Sequence, residues 1–215
     1  MTYLNLVNNV LRRLREETTN NVNDTIFNTM VGDFVNDAKQ LVEEACDWSG
    51  LRSTISLQTI VGTNQYSLVG TGDNVKVFSV INDTNNTFIT YQTKDWFNNA
   101  LYLQEEISGS PAYYTFDGLD SSQDTQVLLS PKPSTVETLR FDVTKRQPEL
   151  VNNTDVLLVP SKPVIHLAVA LLARERGETG GTSTVEYFSI ADRYLSDAIA
   201  IDAAKHPEEM IYRTV

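Results

Sequence analysis

Cysteine is nearly missing from this 215-residue chain. The single Cys46 has no partner for an internal disulfide, and its place in an amphipathic stretch marks a small core or near-core residue rather than a nucleophile. Histidine is scarce too, with two residues. His166 lies in an apolar segment and His206 near the C terminus, so neither shares a zinc-ligand spacing with a second histidine or with the cysteine. No run of about 18 uncharged apolar residues occurs, which excludes an obvious membrane-spanning helix. The first residues, with Asn5, Asn8, Asn9, Arg12 and Arg13 among apolar ones, lack a signal-peptide core, so synthesis in the cytoplasm is expected. The Asn-x-Thr triplets at Asn23, Asn82, Asn85 and Asn152 then read as turns, not glycan acceptors. Positive charge is also in short supply: 17 Lys and Arg against 28 Asp and Glu leave −11. That is the wrong sign for a protein that grips phosphates over a broad surface.

The usual chemical signatures are missing as well. There is no Walker loop, nucleophile elbow or His-Glu-x-x-His pattern. Gly70-Thr71-Gly72 falls between strand-like segments and opens no helix, which argues against a phosphate cradle. Gly177 to Thr182 precedes a helical pattern and reads as a link between helices rather than an anion site. The acid pairs Glu43-Glu44, Glu105-Glu106 and Glu208-Glu209 are adjacent, so on a helix they point about 100° apart and suit solvated faces better than a catalytic dyad. No cofactor, metal site or catalytic residue is expected.

What is present is periodicity. From Asp24 to Trp48, the residues Phe27, Met30, Val31, Phe34, Val35, Ala38, Leu41, Val42, Ala45 and Trp48 keep a three-and-four spacing, with Asp24 or Thr25 as cap and Gly50 as a left-handed stop. Asn28, Asp33, Asn36, Asp37, Lys39, Gln40, Glu43, Glu44 and Asp47 fall on the opposite, solvent-facing side. A shorter stripe, Leu4, Leu6, Val7, Val10, Leu11 and Leu14, precedes it after Thr2 as cap. The turn Thr18–Asn23 makes the pair an antiparallel hairpin. Helical spacing returns at Val164, Ile165, Leu167, Ala168, Leu171 and Leu172, the most apolar segment, behind Pro160 and Pro163. A last helix carries Val185, Tyr187, Phe188, Ala191, Tyr194, Leu195, Ala198 and Ile199.

Between the hairpins the pattern alternates. Thr54–Ile60, Tyr66–Leu68, Val75–Ile81, Phe88–Tyr91, Ala112–Phe116, Gln126–Leu129 and Thr138–Val143 read as strands, and Lys94–Ile107 as a short helix. The fold expected is α+β: an antiparallel four-helix bundle from the N- and C-terminal segments, a central β-rich insertion and an extended C-terminal arm. The boundaries are 1–50 and 158–204 for the two helical hairpins, 51–157 for the insertion and 205–215 for the arm. Pro207 stops the last helix, and Met210, Ile211, Tyr212 and Val215 give the arm apolar anchors. Lys39, Glu43, Arg174 and Arg193 are the candidates for contacts between subunits.

The helix end Asp47-Trp48-Ser49-Gly50-Leu51-Arg52, the strand pair Thr59–Leu68, the segment Leu167 to Gly177 with Arg174-Glu175-Arg176-Gly177, and Tyr187 to Asp202 together resemble the head-to-tail adaptors of tailed bacteriophages. The resemblance is to the tail tubular protein A and tail accessory factor group of short-tailed phages. It implies a homo-oligomeric ring of about twelve copies between the portal protein and the tail nozzle protein in the virion. The ring would seal the neck and pass duplex DNA as cargo, with a tail fibre or spike as a further partner and no membrane contact. The arm would then dock on the portal. A second reading takes Tyr91, Trp96, Phe97, Tyr102, Tyr113 and Tyr114 of the insertion as the lining of a carbohydrate-binding or lytic module of a virion. Sheet packing accounts for most of these rings without a ligand.

The charge balance generates a first prediction. In a filter-binding assay at about 0.15 M salt the protein should not retain duplex DNA; tight retention with a steep salt slope would contradict it.

Overall fold

The computed structural model describes residues 1–103, 107–176 and 182–205, except for the side chains of residue 102 and residues 182–184. It divides into two compact units, one of residues 1–51 with 147–215 and one of residues 52–146.

The first unit is helical. α1 (Tyr3–Arg13) and α2 (Ile26–Glu44) come from the N-terminal part, α4 (Ser161–Glu175) and α5 (Thr182–Ala203) from the C-terminal part. Thr25 caps α2, its Oγ1 accepting from the Asn28 amide at 3.1 Å. Thr2 caps nothing with its side chain; it pairs with Val156 instead, and Tyr3 N donates to Asp155 O at 2.8 Å. The segment around 147–159 is thereby strapped along the helices. Asn36 exchanges two hydrogen bonds with the Leu150 backbone, and Val22 N donates to the Asn153 side chain. These bonds satisfy the backbone of an extended segment that has no sheet of its own.

The four-helix bundle expected from the periodicity is not what forms. The described residues hold five helices and ten strands in three sheets, a mixed α+β fold. Within the helical unit, the four long helices do not close around one shared core. Six consecutive residues of α4, Ala168 to Ala173, are all buried, which covers its whole circumference. α1, α2 and α5 all pack on α4, while the main helical contact of α5 is α4 alone. The physical reason is that α4 has no polar face to turn outward, so its neighbours must surround it.

α2 also differs from its expected facing. Its buried positions are Asn28, Val31, Gly32, Val35, Ala38, Lys39, Val42 and Glu43, while Leu41 is 49% exposed. Lys39 and Glu43 therefore lie on the inner stripe, not the solvent side. They can do so because they satisfy each other: Lys39 Nζ lies 3.2 Å from Glu43 Oε1, one turn away, and donates to Gln147 O at 2.7 Å. The helix stops at Glu44. Trp48 folds back, fully buried, with Nε1 donating to Val42 O at 2.6 Å. Gly50 sits in a short 3-10 turn, Ser49–Leu51, and is no left-handed stop. A Cβ there would come within 2.5 Å of Leu158 O, so close backbone approach explains the glycine.

The second unit holds two four-stranded sheets. One has the order β1 (Arg52–Gln58), β10 (Thr138–Lys145), β3 (Val75–Asn82) and β4 (Thr87–Phe88); the other is β2 (Gln65–Ser67), β8 (Thr125–Ser130), β7 (Tyr113–Leu119) and β5 (Thr90–Tyr91). Their facing residues, among them Val80, Leu139, Phe141, Tyr66, Tyr114, Val127 and Leu129, share one core. A two-stranded pair, β6 (Ser108–Gly109) with β9 (Lys132–Pro133), completes the strands. The expected single strand Phe88–Tyr91 splits between sheets. β4 pairs with β3 and β5 runs parallel to β7, with buried Ile89 as the crossing residue between them. The expected helix over Lys94–Ile107 is shorter, α3 (Lys94–Asn98) followed by a wider π-type turn over Asn99–Leu103.

A prediction follows from the α1–α2 contact. A Cβ at Gly32 would collide with Tyr3 Oη and Val22 Cγ1. Alanine would add about 1 kcal/mol of helix propensity, but overpacking here costs about 1–3 kcal/mol. Gly32→Ala should therefore lower the urea midpoint, and an unchanged or raised midpoint would show that the contact yields freely.

Candidate functional site

The Trp48 turn, α4 and α5 meet at one place in the helical unit. Asp202, 7% exposed near the end of α5, accepts from Ser49 N at 2.8 Å and Ser49 Oγ at 2.7 Å, and Lys205 Nζ donates to it at 2.8 Å. Burial pushes its carboxyl up, but the bonds from Lys205 and Ser49 outweigh that and hold it below the usual carboxylate range. The last turn of α5 is thus tied to the residue after Trp48. Beside the tie lies an open groove of about 410 Å³, walled by Pro160, Lys162 and Pro163 of the α4 start and by Tyr194, Ile201 and Lys205.

His166 stands on α4 at the margin of the core rather than inside it. Its ring stacks on Tyr194 with centroids 4.4 Å apart and planes 17° from parallel. Burial, with Arg13 and Lys162 adding positive charge, lowers its pKa, so it is neutral at pH 7. Among the described residues no group of three His, Cys, Asp or Glu could hold a metal ion. Cys46 is half-buried. In the β unit, the amides of Gly70 and Gly72 both donate to Asp124 Oδ1 at 3.0 Å. The chain's own carboxylate thus fills the place an anion would take in that Gly-x-Gly turn.

The candidate subunit contacts divide. Arg174 and Arg193 are exposed on α4 and α5, Arg174 lying over the Phe188 ring at 5.7 Å, whereas Lys39 and Glu43 are held in the interior. The structure does not bring these four to one surface. The pattern of α5 does not mark as outward-facing its exposed aliphatic residues, Val185 at 72%, Ile190 at 42% and Ile201 at 67%. Their signal was the weak amphipathicity of α5, which spreads apolar residues around the helix instead of gathering them on one side. The anchors Met210, Ile211, Tyr212 and Val215 lie outside the described residues, as do Glu105-Glu106 and Gly177 to Gly181.

In the aromatic-rich insertion, Trp96 packs on Tyr113 and Phe97, with centroids 4.8 and 5.3 Å away, and Tyr114 meets Tyr91, Phe116 and Phe141. Phe97 and Tyr114 are buried, Trp96 and Tyr113 half-buried, and Tyr91 is 51% exposed, each in contact with another ring.

The helical unit is built from both parts of the chain, and the β unit from the segment between them in sequence. The chain belongs to the SU10 adaptor protein family, which it matches over residues 1–210. Membership makes it a structural adaptor of phage type. No curated protein matches the sequence.

The Asp202 tie generates the third prediction. Ser49→Ala and Asp202→Asn should each destabilise the protein by about 1–3 kcal/mol in urea unfolding, and the double variant by less than their sum, because both remove one shared set of bonds. Strict additivity would show that the two side chains act independently.

Proposed function

We propose that the protein is the head-to-tail adaptor of a short-tailed phage, akin to the tail tubular protein A and tail accessory factor group. It forms a ring of about twelve copies between portal and tail nozzle and leaves a channel for the genome. The family match over residues 1–210 carries this reading. The exposed aliphatic residues of α5 support it, since side chains of this kind suit burial against neighbouring subunits. The acidic balance of −11 supports it too, because a channel wall of that sign repels the DNA phosphates and lets the duplex slide.

In this reading the subunits meet through the α4–α5 surface with Arg174 and Arg193. Residues 205–215 are the portal-docking arm, inserting Met210, Ile211, Tyr212 and Val215 between portal subunits. An arm of about eleven residues reaches at most roughly 36 Å, enough to cross onto an adjacent ring. The insertion is the place for a fibre or spike, and the assembled protein resides at the head–tail junction after synthesis in the host cytoplasm. The burial of Phe97 and Tyr114 in the β unit favours this over the carbohydrate-binding reading, which needs aromatic faces free in a row.

Two kinds of variant test it, read by negative-stain imaging and co-sedimentation with portal. Reversing Arg174 and Arg193 to glutamate should weaken ring formation and leave the monomer folded. Deleting residues 206–215 should leave the melting temperature almost unchanged while portal binding falls sharply, with Ile211→Ala and Tyr212→Ala giving most of the loss. Rings that form unchanged, or equal portal affinity without the arm, would remove the corresponding assignment.

A further inference from the structure

The helical unit segregates its charge by helix. α1 holds no acidic residue, and its exposed side carries Arg12 and Arg13, which fold back to donate to the Asn8 and Asn9 carbonyls of their own helix. α2 is the reverse. Its one cation, Lys39, is buried, and its outer stripe runs Asp33, Asp37, Leu41 and Glu44 in steps of three and four, with Leu41 49% exposed. Asp33 and Asp37 lie one turn, about 6 Å, apart along the axis. Neither forms an ion pair among the described residues.

The cations of α1 have company on α4. Lys162 and His166 are one turn apart there; the His166 ring stacks on Tyr194 of α5 at 4.4 Å, and the Lys162 ammonium lies over that same tyrosine at 5.7 Å. Besides burial, Arg13 and Lys162 are what lowers the His166 pKa, and no carboxylate among the described residues counters them. Glu16, the first acid after α1, is taken by Arg176 at 2.8 Å. Arg13, Lys162, neutral His166 and Tyr194 therefore make a cationic and aromatic surface, exposed or half-buried, where α1, α4 and α5 meet, in a chain of net charge −11. Cations gathered without a counter-charge repel one another in the lone subunit, and an acidic partner relieves that. Exposed Asp197, one turn beyond Tyr194 on α5, confines such a partner to the α1 side of Lys162.

We propose that this surface receives the outer stripe of α2 from a second copy of the chain, with Asp33 and Asp37 of that copy set against Arg13 and Lys162. The proposal rests on the reading of the protein as a ring and adds which face of the next subunit the α4–α5 surface meets. The acidic stripe and the cationic surface are different places on one chain, so the contact is heterologous, the kind that closes into a ring instead of stopping at a pair. An isologous contact through either surface would set like charges against each other. Duplex DNA is the poorer occupant, because Arg12, Arg13 and Lys162 are few beside the acids of the same unit, and its phosphates need many such contacts.

The test uses the full chain in two charge-reversed variants, Asp33→Lys with Asp37→Lys and Arg13→Glu with Lys162→Glu. Folding is checked by circular dichroism, and ring formation is read by sedimentation velocity and negative-stain imaging, with and without portal. Where a reversal disturbs the fold, the neutral pairs Asp33→Asn with Asp37→Asn and Arg13→Gln with Lys162→Gln replace it, with a smaller loss in the same direction. Each reversed variant alone should give at least about tenfold less ring than the wild type at equal concentration, since like charges then meet at every contact. A chain bearing all four reversals should assemble again, and an equimolar mixture of the two variants should form rings in which they alternate. Rings that form unchanged in either variant would overturn the proposal, as would a folded chain with all four reversals that stays monomeric. Intact rings together with lost retention of a duplex probe in the Arg13 and Lys162 variant would assign these cations to DNA and overturn it too. The two readings fail separately: a wild-type chain that forms no ring removes the ring and this contact with it, whereas wild-type rings indifferent to the reversals remove the contact alone.

Discussion

The helical unit depends on a helix that has nowhere to put a polar face. Between Val164 and Ala173 of α4 only His166 is polar, and even it is half-buried against Tyr194. Such a segment is stable in water only when surrounded, at about 25 cal/mol for each Å² of apolar surface removed. It therefore draws α1, α2 and α5 around itself and fixes their order. The strap from Gln147 to Val159 closes gaps that helices leave, placing Leu150, Leu157 and Val159 in the same core. Because elements from both parts of the chain are needed to cover α4, the helical unit cannot form until its C-terminal part is available.

That constraint also explains the short motif around Trp48. The indole fills the core and gives its one donor to Val42 O, Ser49 reaches the carboxylate of Asp202, and Gly50 lets the backbone pass Leu158. Three adjacent residues thus make three different long- or medium-range attachments. No periodicity could announce them, since each depends on what the other part of the chain brings. What a sequence displays is the unusual cluster itself, a large aromatic followed by two small residues at a helix end. The reason for the cluster appears only once α4 and α5 are in place.

Helices with a clear apolar stripe were legible, and so were the strands whose side chains alternate between core and solvent, such as β3 and β10. The misreadings share a cause. Lys39 and Glu43 read as solvent-facing because charge normally means exposure, yet an i, i+4 pair with a backbone carbonyl in reach can be taken inside. The four-helix bundle followed from counting amphipathic segments, whereas α4 and α5 are weakly amphipathic and so carry no direction that says which neighbours they face. The strand at Phe88–Tyr91 was continuous in pattern but serves two sheets. Pairing partners are non-local, and one residue, Ile89, sufficed to make the switch.

The site was less legible than the fold because an adaptor's chemistry is distributed. A catalytic centre concentrates unusual residues at fixed spacings, and those can be searched for. A protein that holds other proteins needs only surfaces whose apolar and charged groups match a partner, and each such residue is ordinary by itself. Ile201 illustrates this: within α5 it looks like one more aliphatic residue of a helix, and only its 67% exposure sets it apart. The polar cluster of the β unit teaches the converse. Glu137, 3% exposed, gathers Asn82, Ser110 and the Thr135 hydroxyl, which is the kind of buried carboxylate that suggests chemistry. Yet both of its oxygens are occupied by neutral donors from the same unit, joining the ends of β3 and β10. Three such bonds and near-complete burial hold the carboxylate in a structural network that ties the strand ends together.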